Sequence, residues 1–467
     1  MSINSIQSSN TLNVEVVEQA IQSIVGEQKA TFVIRDRQTG DVLFNHRGQH
    51  LMRPASNMKI LSGAAALKIL GEDFTFQTKL YVDGTQQGGT LNGNVYVRGA
   101  GDPTLNGDVF RQFAQQLKEK GITHITGHVI GDDTYFTGDT LPPGVDAEGE
   151  THYYGARVTA LTMSPNNDYD AGTLYVEVTP TEEGAQPTFT VVPNLCGHTI
   201  TNEAQTIAAD AEETLEVRRT NGTKHITITG GIPAGEAKKV WVSLQNPTMD
   251  TLHYIRTVFT AEGITFGAQT ELIQQAVPAN AQLLYTHQSP TLAELFNPFM
   301  KLSNNTIADI LVKTIGYERY GIGDYESGLK EVRAYLRQKN IDITTWKFVD
   351  GSGLSHQIKV NSEGISKLLF VLQNEPYFET FYASLPVAGQ VDRQIGGTLN
   401  DRYIEKEFEQ KIVAKTGYID EVNCLSGYVT GASGTEYIVS LLVEGYEEYE
   451  DGIEALDDTL KAIVNAL

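Results

Sequence analysis

The chain runs to 467 residues, 40% of them hydrophobic, enough for two or three globular domains with an ample core. Its 58 acidic residues outweigh 35 basic ones, for a formal net charge of −23. That balance excludes nucleic acid as a partner, because phosphates would be repelled, and disfavours an anionic membrane surface for the same reason.

Met1-Ser-Ile-Asn-Ser-Ile-Gln7 holds no basic region and no long apolar run, so no signal peptide is expected, and no later stretch approaches a transmembrane span. Val14, Val17, Ile21 and Ile24 form a helical stripe ended by Gly26. Thr31-Phe-Val-Ile-Arg35 and Val42-Leu-Phe44 read as strands joined by a turn at Gln38-Thr-Gly40. A helix opens within Arg53-Pro-Ala-Ser56-Asn-Met-Lys59, with Pro54 just before it and Gly71 at its end. The run from Ile60 to Leu70 is apolar or small on nearly every face, which predicts a helix buried all round.

Residues between roughly 75 and 285 are rich in Thr, Gly, Asp and Glu and carry short alternating runs such as Asn94-Val-Tyr-Val97 and His225-Ile-Thr-Ile-Thr229. They read as a β-rich insertion. His124 and His128 stand before Asp132-Asp133, and solvated turn residues are the favoured reading over a metal site. From Lys411 to Leu467 the pattern is strand, strand, strand and helix, so both chain ends are expected in one antiparallel sheet with helices on its faces, an α+β fold. The last helix carries Ile453, Leu456, Leu460, Ile463, Val464 and Leu467 on one stripe. Its polar face holds Glu454, Asp457 and Asp458, where a membrane-surface helix would carry Lys or Arg, so packing on the sheet is predicted. Cys196 and Cys424 match no metal spacing. Cys424 is expected buried on a strand, and no disulfide is expected.

Three short motifs carry the chemistry: Ser56-Asn57-Met58-Lys59, Ser303-Asn304-Asn305 and Lys415-Thr416-Gly417. In that order they supply an activated serine, a proton relay and an anion-binding strand, the set that acyl transfer through a serine ester needs. Each is weak alone. Ser327-Gly-Leu-Lys330 repeats the first pattern, and Ser2-Ile-Asn4, Ser8-Ser-Asn10 and Ser164-Pro-Asn166 repeat the second; these are read as chance. Residues three apart share a helix face, so Ser56 and Lys59 should lie side by side. The helix start leaves backbone N–H groups free, and that of Ser56 is a natural half of an oxyanion hole. Lys59 serves as a base only when neutral; burial and a second cation, Lys415, would both lower its pKa. Ser303 is a candidate to pass the proton to a leaving amine, and Asn305 to hold a substrate amide and the Lys59 head. Asp350-Gly-Ser-Gly353 reads as a tight turn beside the site. No H-E-x-x-H, G-x-S-x-G or dinucleotide pattern is present, and neither metal nor cofactor is expected.

Further segments extend the likeness to a known family: Met52-Arg-Pro-Ala-Ser-Asn-Met-Lys59, Gly99-Ala-Gly-Asp-Pro-Thr-Leu105, Ser164-Pro-Asn-Asn-Asp-Tyr-Asp170, Pro298-Phe-Met-Lys-Leu-Ser-Asn-Asn305, Asp350-Gly-Ser-Gly-Leu-Ser355 and Ser384-Leu-Pro-Val-Ala-Gly389. On these the chain resembles the low-molecular-mass class C penicillin-binding proteins, a family of serine D-Ala-D-Ala carboxypeptidases and endopeptidases. The resemblance implies a penicillin-binding, transpeptidase-like catalytic domain at residues 1–74 and 286–467. It implies a β-rich domain at 75–102 and 173–285, with an inner domain at 103–172. It implies Ser56 as the acylated nucleophile, Lys59 as general base, Ser303 and Asn305 as relay and positioning residues, and Lys415 with Thr416 as the holders of a terminal carboxylate. The oxyanion hole would use the N–H groups of Ser56 and of Tyr418, the residue after Gly417. The implied partners are peptidoglycan stem peptides and β-lactam antibiotics, and the implied location is outside the cytoplasmic membrane, this being a mature form; a cytoplasmic relative is the other possibility. No oligomeric state follows from the residues.

Two departures stand out. Tyr418 replaces the Ser or Thr whose hydroxyl helps bind the carboxylate in the family, and Asp420 and Glu421 follow it, close enough to repel an anion unless they turn to solvent. Near Tyr153-Tyr154, a segment that closes over a diaminopimelate side chain in relatives, the expected acidic residue falls at or near Gly149, with Glu148 and Glu150 as replacements. Tyr154 is carried over as a substrate contact, beside its other reading as a core or interface aromatic. Alternatives to a DD-peptidase are a repurposed D-amino-acid amidase, esterase or β-lactamase, and a stem-peptide-binding protein of low turnover.

Overall fold

Residues from both ends of the chain meet in one five-stranded antiparallel sheet, ordered Val42–His46, Ala30–Asp36, Glu436–Glu444, Val422–Thr430 and Ile412–Ile419. The computed structural model describes residues 13–26 and 29–467. Met1–Gln7 and the S-x-N matches at Ser2 and Ser8 lie outside the described residues, as does the Ile24 side chain. The described chain forms two compact units. One runs to Lys68 and takes in Phe296–Ser303 and Val332–Leu467; the other comprises Ile69–Leu295 and Asn304–Glu331.

Strand alternation sorts the first unit's sheet into two faces. Phe32, Ile34, Leu425, Val429, Val439, Leu441 and Val443 pack into one core with Leu456, Leu460, Ile463 and Val464 of the Tyr449–Ala466 helix and with Leu467 just after it. That stripe docks on the sheet as its spacing predicts, although Ile453 at its edge stays half-buried. The opposite face is more polar and meets the Ser362–Leu372 helix. There Thr31 Oγ1 lies 2.6 Å from Ser362 Oγ, Arg35 Nε donates to Ser366 Oγ at 2.9 Å, and the Tyr428 hydroxyl donates to the Leu369 carbonyl at 2.8 Å. The Met58–Leu70 helix belongs to this side too: just before it, Asn57 Nδ2 donates to Ser426 Oγ at 3.0 Å. Every residue of that helix from Met58 to Leu67 is buried, as its composition predicts.

The Val14 stripe departs from expectation. Val17 and Ile21 are buried, but Val14, the first residue of the Val14–Ala20 helix, is exposed, and the helix widens into a π turn over Ile21–Val25.

The second unit is β-rich. Its largest sheet mixes parallel and antiparallel pairs in the order Leu272–Gln274, Val129–Asp132, Val95–Arg98, Gln77–Val82 and Gln282–Gln288. The Gly107–Glu119 and Pro247–Ala261 helices bury Phe110, Phe113, Leu117, Leu252 and Ile255 in the core they share with these strands. His124 sits on a strand rather than a turn, its ring bonded to Thr265 Oγ1 at 2.8 Å, and His128 Nδ1 accepts from the Glu271 N–H at 3.1 Å. Among the described residues no group of His, Cys, Asp or Glu is arranged to hold a metal, and no helix is long and apolar enough to cross a membrane. Cys196 is exposed, Cys424 is buried on its strand, and both are free thiols.

Candidate active site

The turn that presents Ser56 is held from two sides by glycine. Ala55 adopts φ +45°, a conformation that strains a residue with a side chain, and the short helical turn Ala55–Asn57 leads straight into the Met58–Leu70 helix. A Cβ on Gly353 would stand 1.8 Å from the Ala55 carbonyl oxygen. A Cβ on Gly417 would stand 3.0 Å from both the Ser56 nitrogen and the Pro54 oxygen. Only glycine lets the Asp350–Gly353 loop approach the Ser56 turn so closely, and a side chain at Gly417 would press the K-T-G strand against it. The Gly417–Tyr418 peptide therefore runs past the Ser56 amide.

Lys59 is fully buried one helical turn on, as the three-residue spacing predicts. Its Nζ donates to Ser56 Oγ at 2.8 Å and to the Ser352 carbonyl at 3.0 Å. Lys415 is also fully buried, and its Nζ donates to the Thr416 carbonyl at 3.0 Å. Burial, and then the Lys59 charge, hold the Lys415 ammonium well below the ordinary lysine range. The two lysines thus sense each other in a dry setting, the arrangement that favours one of them neutral.

Cross-strand partners share a face of the sheet, and this register decides where Tyr418 points. Thr416 opposes Leu425 and Tyr418 opposes Asn423, so both lie on the face of the Tyr449–Ala466 helix, while Lys415 and Gly417 lie on the Ser56 side. The Tyr418 ring meets Tyr449 edge-on, centroids 4.4 Å apart. Thr416 Oγ1 is 2.6 Å from Thr398 Oγ1, a contact that no sequence motif announces. The acidic turn is neutralised in part: Glu421 lies 3.6 Å from Arg53, which also pairs with Glu444, and Asp420 is 85% exposed with His356 at 3.9 Å. Both carboxylates thus turn to solvent or to Arg53.

Ser303 follows the Leu292–Lys301 helix with φ +57°. Just before it, buried Lys301 donates to the Leu385 carbonyl, and burial brings its pKa down to about 8. Between Ser303 and Asn304 the chain passes into the second unit. Asn304 caps the Asn305–Tyr320 helix, its Oδ1 accepting from the Ile307 N–H at 2.9 Å. Its Nδ2 is held by the carbonyls of Asp168 and Tyr169 and by Asp170 Oδ1, at 3.3, 3.0 and 2.9 Å. Asn305 Nδ2 donates to the Tyr154 carbonyl at 3.0 Å, so Tyr154 meets the S-x-N motif through its backbone, while its ring stacks on His152. Glu150 is 3% exposed and bound by Arg219 at 2.9 Å and Arg157 at 3.2 Å, and Glu148 pairs with Arg218 at 3.2 Å. Glu150 is therefore committed inside the protein. Of the chance matches, Lys330 lies over the Tyr320 ring and Ser164 Oγ donates to the Pro103 carbonyl.

A serine bonded to a buried lysine at the head of a buried helix, facing a K-T-G edge strand, is the arrangement of an acyl-transfer serine hydrolase. The chain belongs to the D-Ala-D-Ala carboxypeptidase 3 (S13) family, which matches residues 12–463. It is 34% identical over 419 residues to a D-alanyl-D-alanine carboxypeptidase of Actinomadura sp. strain R39, covering 89% of this chain and 77% of that one. It is 27% identical over 431 residues to the D-alanyl-D-alanine carboxypeptidase DacB of Haemophilus influenzae, covering 89% and 85%. The crystal structure of penicillin binding protein 4 from H. influenzae shares the fold, with a TM-score of 0.80 at 22% identity over 96% of this chain and 98% of that one. That protein has also been solved with a β-lactam, at a TM-score of 0.75. The α+β architecture and the peptidase family expected from the motifs are thereby established.

Proposed function

We propose that Ser56 cleaves the terminal D-Ala from peptidoglycan stem peptides through an acyl-enzyme, outside the cytoplasmic membrane. The observation that carries this is the 2.8 Å contact between Ser56 Oγ and the fully buried Lys59. Neutral Lys59 takes the Ser56 proton as Oγ attacks the penultimate D-Ala carbonyl. The N–H groups of Ser56 and Tyr418 receive the oxyanion, a type of contact that lowers such barriers by a few kcal/mol (~3 kcal/mol per donor). The C–N bond then breaks, Ser303 relays the proton to the departing D-Ala amine, and water hydrolyses the ester. Lys415 holds the substrate carboxylate from the Ser56 side, with Thr416 next to it on the same edge strand, and Asn305 holds the substrate amide. Cross-links ending at a D-centre are cut in the same way, and a β-lactam acylates Ser56 and stays.

A second reading is favoured by Tyr418, whose ring faces the Tyr449 side and leaves the carboxylate site without the hydroxyl usual in the family. It assigns a neutral D-amino-acid amide or ester as substrate. Lys415, fully buried on the Ser56 side of the same strand, supports the peptidase. The test is intact mass after incubation with benzylpenicillin, with Ser56→Ala as control, beside D-Ala release from a D-Ala-D-Ala peptide. One stable adduct on the parent chain alone, with D-Ala released, is expected. Penicillin consumed without an adduct indicates a β-lactamase, and cleavage of amides or esters alone indicates the second reading.

A further inference from the structure

The Asp350–Ser355 loop holds a carboxylate that the scheme above leaves unused. Asp350 is fully buried. One of its carboxylate oxygens accepts from the Gly353 N–H and the other from the Ser355 N–H, each at 2.7 Å. Those bonds curl the loop and fix two of its carbonyls toward the Met58–Leu70 helix. The Ser352 carbonyl accepts from Lys59 Nζ at 3.0 Å, and the Gly351 carbonyl accepts from Ser62 Oγ at 2.7 Å. The same curl brings Gly353 against the Ala55 carbonyl, in a space that admits no Cβ. The loop thus grips the nucleophile turn and the base together, and Asp350 sets its shape.

We infer that Asp350 is a positioning residue for Lys59, acting by aiming the Ser352 carbonyl at Nζ and by serving as the buried counter-charge of Lys59. Two lysines in a dry site repel each other, and a carboxylate that interacts with one of them affects how much positive charge the site tolerates. The charged groups facing Lys59 within this unit are Lys415 from the K-T-G strand and Asp350 from the loop; Ser56 and the Ser352 carbonyl are its neutral partners. Burial holds the Asp350 carboxyl above the ordinary carboxylate range, and the Gly353 and Ser355 N–H groups and the Lys59 charge pull it only part of the way back. Asp350 in turn favours the protonated form of Lys59, opposing the burial and the Lys415 charge that favour the neutral base. The ascending limb of acylation against pH is therefore set by the balance of all three groups.

The inference rests on Lys59 acting as the base for Ser56, so the parent enzyme is measured first. If benzylpenicillin does not acylate Ser56 in the parent, the proposed function fails. If it does, acylation rates are followed by intact mass from pH 5 to 9 for the parent, Asp350→Asn and Asp350→Glu. With the charge removed, Asp350→Asn should move the ascending limb down by about one pH unit and slow acylation roughly tenfold or more. Asp350→Glu keeps the charge, so its limb should stay with the parent's while the rate falls through misplacement alone. A limb that does not move in Asp350→Asn, with rates lowered equally at every pH, overturns the counter-charge role and leaves a loop brace. Should Asp350→Asn not fold, carboxyl 13C resonances of aspartate-labelled parent, assigned with Asp350→Glu, replace it. A resonance that stays ionised across the limb supports the inference, and one that protonates in step with the limb overturns it.

Discussion

Gly417 brings the K-T-G strand close to the Ser56 turn, because a Cβ there would stand only 3.0 Å from the Ser56 nitrogen, so a methyl group forces that turn to shift. Gly417→Ala should push the Ser56 and Tyr418 N–H groups out of line. The expected loss is about 10²–10³-fold in β-lactam acylation, the size associated with one oxyanion donor. Tyr418→Thr is the contrasting substitution. Its ring lies on the other face against Tyr449, so acylation should stay within about threefold while stability falls by roughly 0.5–1.5 kcal/mol. Acylation rate and thermal midpoint, measured on both variants, separate the two effects. Equal losses of acylation would mean that the Tyr418 side chain enters the site after all. Ser56, Lys59 and Lys415 were legible in the sequence because their chemistry is local: a three-residue helical spacing and a three-residue strand motif. Thr398 and the Ser352 carbonyl were not. Lys59 reaches the latter across 293 residues of chain, and no periodicity encodes such a contact. The fate of Asp420 and Glu421 was equally hidden, since it depends on Arg53 arriving from the far side of the sequence.

Between Gly149 and Gly155 two short helical turns carry Glu150 and Tyr154, and their anchoring bears on a question raised by the family resemblance. An acidic residue before a tyrosine pair suggested a substrate contact. Instead Glu150 accepts from Arg219 and Arg157, with Arg219 wholly buried. Glu150→Ala would strand buried guanidinium charge, and a loss of ~3–5 kcal/mol is expected in urea unfolding. A group serving substrate would behave oppositely, leaving stability intact and raising KM for the stem peptide. The same scale shows why the fold was largely readable. The terminal strands alternate core and helix-facing residues, so the Ala30–Asp36 and Glu436–Glu444 pairing and the docking of the last helix follow from period and polarity. In the Val14 stripe only the helix's first residue departs, Val14 staying exposed while Val17 and Ile21 are buried, and His124 misled because strand ends and turns share polar composition. Tyr154 was carried over from the family likeness as a substrate contact, and its carbonyl accepts from Asn305, a contact that side-chain identity does not reveal.

For the whole molecule, a net charge of −23 and a buried acid in the second unit pull stability in the same direction as pH changes. Asp102 is fully buried, and burial pushes its carboxyl up to about 6, although Thr104 hydrogen bonds pull it down. Its Oδ2 has no hydrogen-bond partner among the described residues and stands 3.6 Å from His287 Nε2. Burial also lowers the His287 pKa, so that ring offers little positive charge at neutral pH. The folded state then binds a proton more tightly than the unfolded chain. Between the ordinary 3.8 and about 6, stability should fall as pH rises, and the deficit persists above that window. At this single site the effect amounts to roughly 2–3 kcal/mol. Self-repulsion among the surface carboxylates adds a slope of the same sign, but salt screens it, and salt reaches a buried group far less. Asp102→Asn divides the two contributions. The variant should be more stable than the parent at pH 8, the gap should close toward pH 4, and added salt should change the gap little. A variant less stable than the parent at pH 8 would mean that the charged form of Asp102 is the one the fold is built around.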